Sequence, residues 1–174
     1  EENDLLITKC NITNINIYLQ EFLNVNIKGS NNRYAIIKSI DDDNILKSYK
    51  NSLWTSTQKG NAKLNSLFSE SDGNVYLFFS VNKSGKFCSV AKMASVADTN
   101  NLSSNKDKWK GYFKIKWLVI KDVPNHVFKN VLNEYNEKKS VVFSRDSQEV
   151  DKASGKSMMK LFLDFPYMGS IIDD

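Results

Sequence analysis

The 174-residue sequence predicts an α+β fold with a curled sheet. A run of apolar β-formers at residues 75–81 is typical of a buried central strand. Turn residues at 82–85 then predict a hairpin into a second strand at 86–93. Elsewhere strands and helices alternate without a βαβ rhythm, which favours the α+β class.

The remaining elements follow from periodicity and turn chemistry. Three aspartates, Asp41–Asp43, open a helix, because carboxylates complement its positive end. Apolar residues at helical spacing predict a second helix just after Gly60 and Asn61. We also expect strands at 34–38, 112–120 and 140–143, helices at 125–135 and 151–165, and an exposed loop at 97–107.

Composition indicates one globular domain with a real core. The net charge of +4 slightly favours polyanionic partners. No apolar run approaches the ~20 residues that span a bilayer, and no secretory signal is visible at the start. Cys10 and Cys88 form no spaced motif, and Cys88 is expected to be a buried free thiol in a reducing, intracellular compartment.

The titratable residues give little support for catalysis. With one histidine, His126, and two separated cysteines, no zinc site and no histidine-activated nucleophile can be assembled. Asp42, Asp43 and Asp146 could hold a divalent metal, so a metal-dependent RNA-processing enzyme stays open as an alternative. A helix start explains the aspartate run equally well, and a turn or a salt bridge with Arg145 explains Asp146.

The three tryptophans differ in their surroundings. Trp117 is in phase with Phe113 and Ile115, which predicts a core residue. Trp54 and Trp109 are flanked by hydroxyls, lysines and aspartate, a poor setting for a core residue. Exposed indoles beside lysines are typical of base stacking in single-stranded RNA recognition. The same two residues could instead anchor a peptide, so a protein-interaction module also stays open.

Five ordered blocks resemble the YTH domain family, whose members read N6-methyladenosine in RNA. They are KSIDDDNILKSYKNSLWTST, KGNAKLN, NVYLFFSVNKSGKFCSVAKM, DKWKGYFKIKWLVIKDVPN and SRDSQEV, and the likeness is greatest to the cytoplasmic-type readers. The resemblance implies a barrel-like, six-stranded mixed sheet with surrounding helices. It also implies an RNA-binding domain at 31–168, between an N-terminal flank at 1–30 and a tail at 169–174.

The resemblance also implies residue roles in an aromatic cage without catalysis or cofactor. Trp54 and Trp109 match cage walls, and the Thr55 carbonyl matches the acceptor of the N6–H. Asn44 matches a contact to the adenine edge, while Ile40 stands where many members carry a tyrosine. The other implied contacts to base, pocket or RNA backbone are Lys38, Ser39, Asn82, Asp146, Arg145, Lys108 and Lys110.

One cage position departs from the family. Ser104 stands where another tryptophan is usual, and no aromatic residue occurs between Phe87 and Trp109. The third cage wall is therefore either missing or supplied by Leu102, with Tyr112 as the other candidate. Taken together, the expected partner is N6-methyladenosine-containing mRNA and not a membrane. We expect a monomeric domain within a larger, cytoplasmic protein, with a nuclear location as the alternative.

Overall fold

The computed structural model describes residues 31–98 and 111–173. Within them the chain forms three α-helices and eight strands. The helices are α1 (Asp42–Asn51), α2 (Gln58–Glu70) and α3 (Lys152–Asp164). The strands are β1 (Arg33–Ser39), β2 (Leu53–Trp54), β3 (Val75–Val81), β4 (Lys86–Met93), β5 (Phe113–Pro124), β6 (Leu132–Asn133), β7 (Lys139–Ser140) and β8 (Gln148–Val150).

The main sheet has six strands in the order β2-β5-β4-β3-β1-β8. The central β1–β3 pair is parallel and the other pairs are antiparallel. Register shifts interrupt the β3–β4 and β4–β5 ladders, and such bulges bend a sheet, which here curls into a half-barrel. The predicted α+β class with a curled, six-stranded mixed sheet is confirmed. The α1–β2–α2 crossover between two parallel strands is a βαβ-like unit that the sequence did not reveal.

The sheet lies between two helical layers. Along β1, Tyr34 and Ile36 face one core cluster, which includes Met158 and Phe162 of α3. Ala35 and Ile37, which alternate with them, face a second cluster beneath α1 and α2. Because both faces are covered, β1 and β3 are apolar nearly throughout, as the run at 75–81 predicted.

The helix starts are fixed by side-chain caps. Asp41, Thr57 and Asp151 each accept a hydrogen bond from the backbone amide three residues further on, which satisfies one of the free donors of the first turn. The helix predicted to open at the aspartate run and the one predicted at 151–165 are therefore confirmed. The helix predicted after Gly60 and Asn61 begins earlier, at Gln58.

The helix predicted at 125–135 is wrong. The chain forms a 3₁₀ turn at Asn125–Val127 and then reaches β6. Phe128 is fully buried, with its ring 5.1 Å from that of Phe87, so one anchor rather than an amphipathic stripe holds this segment. Spacing over so few apolar residues does not distinguish successive turns from a helix.

Two further expectations need correction. The strand predicted at 140–143 is only Lys139–Ser140, because Val141–Phe143 forms a 3₁₀ turn. A strand was missed at Gln148–Val150, in a segment that looked like a polar cluster. This strand lies at the sheet edge against β1, where polar side chains can remain half-buried.

Of the loop predicted to be exposed at 97–107, Ala97 is buried, and residues 99–107 lie outside the described part of the chain, as do residues 1–30. Trp117 is a core residue and Cys88 is a buried free thiol, as predicted. Burial raises the pKa of the Cys88 thiol to about 11. Among the described helices, none has the length and apolar character to cross a membrane.

Candidate nucleic-acid interface

A cavity of about 510 Å³ opens at the carboxyl end of β1. Its volume is within the usual range for ligand sites. The lining residues come from three separate parts of the sequence, which are residues 38–55, Tyr112 and Asp146. The residues that line it are Lys38, Ser39, Ile40, Asn44, Lys47, Ser48, Asn51, Leu53, Trp54, Thr55, Tyr112 and Asp146. Seven of the predicted site residues are thus brought together.

Trp54 is both a core residue and a wall of the cavity. Its side chain is only 8% exposed and meets Phe79 edge to face, with ring centroids 5.1 Å apart. The expectation that its polar setting is poor for a core residue is therefore wrong. Pairing of Trp54 with Phe113 across β2 and β5 carries the ring over the sheet despite its polar neighbours in sequence. Its Nε1–H is buried and has no hydrogen-bond partner among the residues described.

The inner end of the cavity is organised by Asp146. One carboxylate oxygen accepts the backbone amide of Lys38 at 2.9 Å, and the other accepts the Ser56 hydroxyl at 2.6 Å. The Ser147 hydroxyl adds a longer bond of 3.3 Å. Asp146 thus joins distant segments of the chain, and does not form the local turn or the salt bridge with Arg145 that the sequence suggested; the side chain of Arg145 is exposed. Within residues 31–98 and 111–173 no cluster of three or more potential metal ligands occurs.

Lys38 places a half-buried amine in this cavity. Its Nζ donates to the Ser80 hydroxyl at 3.1 Å. Burial lowers the pKa of Lys38, and the charge of Asp146 opposes that effect. A cation enclosed by a cavity wall interacts more strongly with an anionic or electron-rich ligand than one in open water.

The outer part of the cavity has a mixed apolar and polar rim. Ile40, Leu53 and Tyr112 are large side chains exposed by 65%, 37% and 60%. Lys47 and Asn51, which the sequence did not single out, line the cavity from α1. They follow Asn44 at three and seven residues, which is the spacing of a single helix face. That spacing is the signal that could have identified them.

The remaining predicted contacts lie elsewhere. Asn82 is exposed, and its backbone N–H donates to the Ser39 carbonyl at 2.8 Å. Asn82 therefore lies beside the cavity but is not part of its lining. Arg145 is also outside the lining, next to Asp146 in sequence. Four further residues lie outside the described part of the chain and stay predictions: Leu102, Lys108, Trp109 and Lys110.

Comparisons with known proteins point to one family. The family model described as YT521-B-like domain, YTH, matches residues 32–163. The human YTH domain-containing family protein 3 is 43% identical over 164 residues, covering 92% of this chain and 28% of the relative. The chain therefore spans little more than a quarter of the length of the curated relatives it matches.

Solved structures agree in fold. The Pho92 YTH domain, crystallised in complex with m6A, superimposes with a TM-score of 0.74 and 33% identity, over 83% of this chain and 93% of that one. The YTH domain of Zygosaccharomyces rouxii MRB1, in complex with N6-methyladenosine RNA, gives a TM-score of 0.71 and 38% identity, over 82% and 92%. Family model, relatives and structures all cover most of the chain, which therefore belongs to the YTH domain family.

Proposed function

We propose that this domain reads N6-methyladenosine in single-stranded RNA by taking the methylated base into the cavity beside Trp54, without catalysing a reaction. The observation that carries the proposal is the indole of Trp54 on the wall of a polar cavity that Lys38 and Lys47 also line. The YTH structures in complex with m6A and N6-methyladenosine RNA support the choice of ligand.

Recognition of the methyl group would come from burial and stacking. Stacking a base on an aromatic face contributes about 1–3 kcal/mol, and burying one methyl carbon adds about 0.8 kcal/mol. Trp54 supplies one wall. Trp109 is proposed as the second wall and Leu102 as the third, both from the resemblance alone.

Polar contacts would orient the base. The proposed acceptor for the N6–H is the Thr55 carbonyl, while the Asn44 side chain can bond the edge of the adenine ring. Thr55 is held in place because its hydroxyl donates to the Gly111 carbonyl at 2.7 Å. Unmodified adenine can form the same polar contacts, so the methyl preference depends on the cage rather than on these bonds.

The RNA backbone would be held by cations around the cavity. Lys38 and Lys47 line it and Arg145 is exposed beside it, and Lys108 and Lys110 are proposed from the resemblance. Such contacts give an affinity that is salt-dependent and tolerant of sequence. We further propose that residues 31–168 form a monomeric RNA-binding domain of a longer, cytoplasmic protein that acts on mRNA. The fate of the bound RNA would then depend on other regions.

The test is a titration of two short RNAs that differ in one N6-methyl group, at fixed salt. We expect at least about a tenfold preference for the methylated strand, equivalent to about 1.4 kcal/mol. Trp54→Ala should abolish that preference, and so should the milder Trp54→Leu. Only a variant that keeps the wild-type circular dichroism spectrum, and so the fold, counts in this test. Trp117→Phe is the matched control, because Trp117 belongs to the same core cluster but not to the cavity lining.

Three results would contradict the reader function. Equal affinity of the wild type for both strands would leave an RNA-binding domain without methyl recognition. Absence of RNA binding, with tight binding of an aromatic-rich peptide instead, would favour the protein-interaction alternative. RNA cleavage that depends on a divalent metal and is lost in Asp146→Asn would favour the enzyme.

A further inference from the structure

Tyr112 is a large aromatic residue on the outer rim of the cavity. It directly precedes β5, in which Phe113 pairs with Trp54. Successive residues of an extended chain point to opposite faces, so the side chain of Tyr112 is directed away from the buried face that Phe113 and Trp54 share. With 60% of its surface exposed, the Tyr112 ring borders the cavity from outside rather than forming its inner wall.

The backbone that carries Tyr112 is fixed. The carbonyl of the preceding Gly111 accepts the Thr55 hydroxyl at 2.7 Å and the Asn61 side-chain amide at 3.2 Å. Gly111 has φ +82°, and a Cβ there would lie 1.9 Å from the Asp98 carbonyl oxygen. Little conformational freedom would therefore be lost when a ligand contacts Tyr112, and a tyrosine side chain itself has few rotatable bonds.

We propose that Tyr112 is a stacking platform for the nucleobase adjacent to the one that enters the cavity, and that it favours a purine there. This proposal rests on the proposed reading of methylated RNA and assigns a second nucleotide subsite to the same site. An exposed aromatic ring on a rigid backbone presents a face on which any base can stack, and the larger purine covers more of it.

The surroundings favour a nucleotide over a peptide as the occupant. The cavity that Tyr112 borders also contains Lys38 and Lys47, and the lining includes one carboxylate, Asp146, whose oxygens already accept three internal hydrogen bonds. The two cations can bind the phosphate of a nucleotide while the exposed ring stacks on its base.

The experiment uses RNA pentamers with N6-methyladenosine at the centre and an abasic site at either the preceding or the following position. In the wild type, we expect one of the two abasic RNAs to bind about fivefold or more weakly than the intact RNA. In Tyr112→Ala that loss should disappear, because the base then has no ring to stack on, while Tyr112→Phe should retain it. An RNA with a purine at that position should bind the wild type more tightly than an RNA with a pyrimidine there.

Tyr135→Ala is the matched control, since Tyr135 is 59% exposed but lies outside the cavity lining. It should behave as the wild type does. The ratio of the affinities for methylated and unmodified RNA separates the stacking platform from the methyl-reading cage. Loss of the platform should lower the affinity for both RNAs and leave that ratio unchanged. If Tyr112→Ala instead lowers the ratio, Tyr112 is a cage wall and the platform is refuted. An abasic effect that persists in Tyr112→Ala also refutes it, whereas a wild type without methyl preference refutes only the reading of the methyl group.

Discussion

The Asp146 carboxylate accepts the backbone amide of Lys38 at 2.9 Å and so joins residues 108 positions apart in the sequence. Its other oxygen accepts the Ser56 hydroxyl, two residues after Trp54. One side chain therefore connects the end of β1, the segment after β2 and the loop before β8. The resemblance suggested a ligand contact for Asp146, but these bonds give it a clear role in positioning the cavity walls.

Removal of the Asp146 carboxylate should loosen the cavity. In Asp146→Ala the amide of Lys38 and two serine hydroxyls lose their acceptor, and the free energy of unfolding should fall by about 1–3 kcal/mol in urea titrations. Affinity for methylated and unmodified RNA should fall together. Glu134→Ala removes an exposed carboxylate outside the cavity lining and should leave both quantities nearly unchanged. Unaltered stability in Asp146→Ala would show that water replaces the lost acceptor.

Gly111 and Gly85 form a natural pair for separating backbone strain from steric overlap. Both have positive φ, +82° and +74°, but a Cβ at Gly85 would meet nothing within 4 Å. Gly85→Ala should therefore cost only the left-handed backbone penalty, about 1–2 kcal/mol, and keep RNA affinity. Gly111→Ala must also displace the Asp98 carbonyl, so we expect a larger loss of stability and weaker RNA binding. Equal thermal unfolding midpoints of the two variants would argue against a rigid support for Tyr112.

Arg145 should contribute general rather than methyl-specific affinity. A phosphate contact is insensitive to the base, so Arg145→Ala should lower the affinity for methylated and unmodified RNA by the same factor. The slope of log affinity against log salt should become shallower by about 0.7, the contribution of one contact to a single strand. Lys160→Ala removes an exposed charge from α3, on the other face of the sheet, and should not change the slope. A change in the methyl ratio for Arg145→Ala would indicate a contact to the base instead.

Lys121 predicts a distinctive dependence of stability on pH. It is 1% exposed, and its Nζ donates to the carbonyls of Leu163 and Phe165 at 3.3 and 2.8 Å. Burial lowers the pKa of Lys121 from 10.5 to about 8, opposed by the charge of Asp164. Between those two values the unfolded chain holds a proton that the folded chain has released. The free energy of unfolding should therefore rise with pH in that window, by up to about 1.4 kcal/mol per pH unit from this group.

Comparison of the wild type with Lys121→Met across pH 7 to 10 isolates this contribution, because other titrating groups affect both proteins. The difference in unfolding free energy should change in favour of the wild type as pH rises above about 8. Lys121→Arg stays cationic throughout, so it should also lack the rise and be the least stable of the three at pH 10. A constant difference between wild type and Lys121→Met would mean that Lys121 remains charged when folded.

The predictable elements of the fold were those with a strong local signal. The apolar run of β3 and the aspartate cap of α1 each determine their element within a few residues, and their expected positions were confirmed. The polar edge strand β8 was missed because its pairing partner, β1, lies more than 100 residues away in sequence. The turns around Phe128 were mistaken for a helix. One buried side chain holds this segment, and a single residue gives no hydrophobic periodicity from which turns and a helix could be distinguished.

The site shows the same limit. The resemblance implies that Asn44, Thr55 and Trp54 share one site, and all three line one cavity. Burial of Trp54 was not predictable from its hydroxyl-rich neighbours, because a two-residue strand against β5 determines it. The exposed position of Tyr112 depends on the register of that short ladder, which no local pattern encodes.

The parallel pairing of β1 with β3 has a consequence for biosynthesis. Residues that meet at the cavity end of this pair, such as Lys38 and Ser80, are 42 positions apart, and β1 is flanked on its other side by β8. Closing the chain over such a sequence separation costs conformational entropy, so these contacts slow the folding of the domain. A nascent chain therefore cannot complete the cavity until residues 146–150 have left the ribosome, which confines RNA capture to the finished domain.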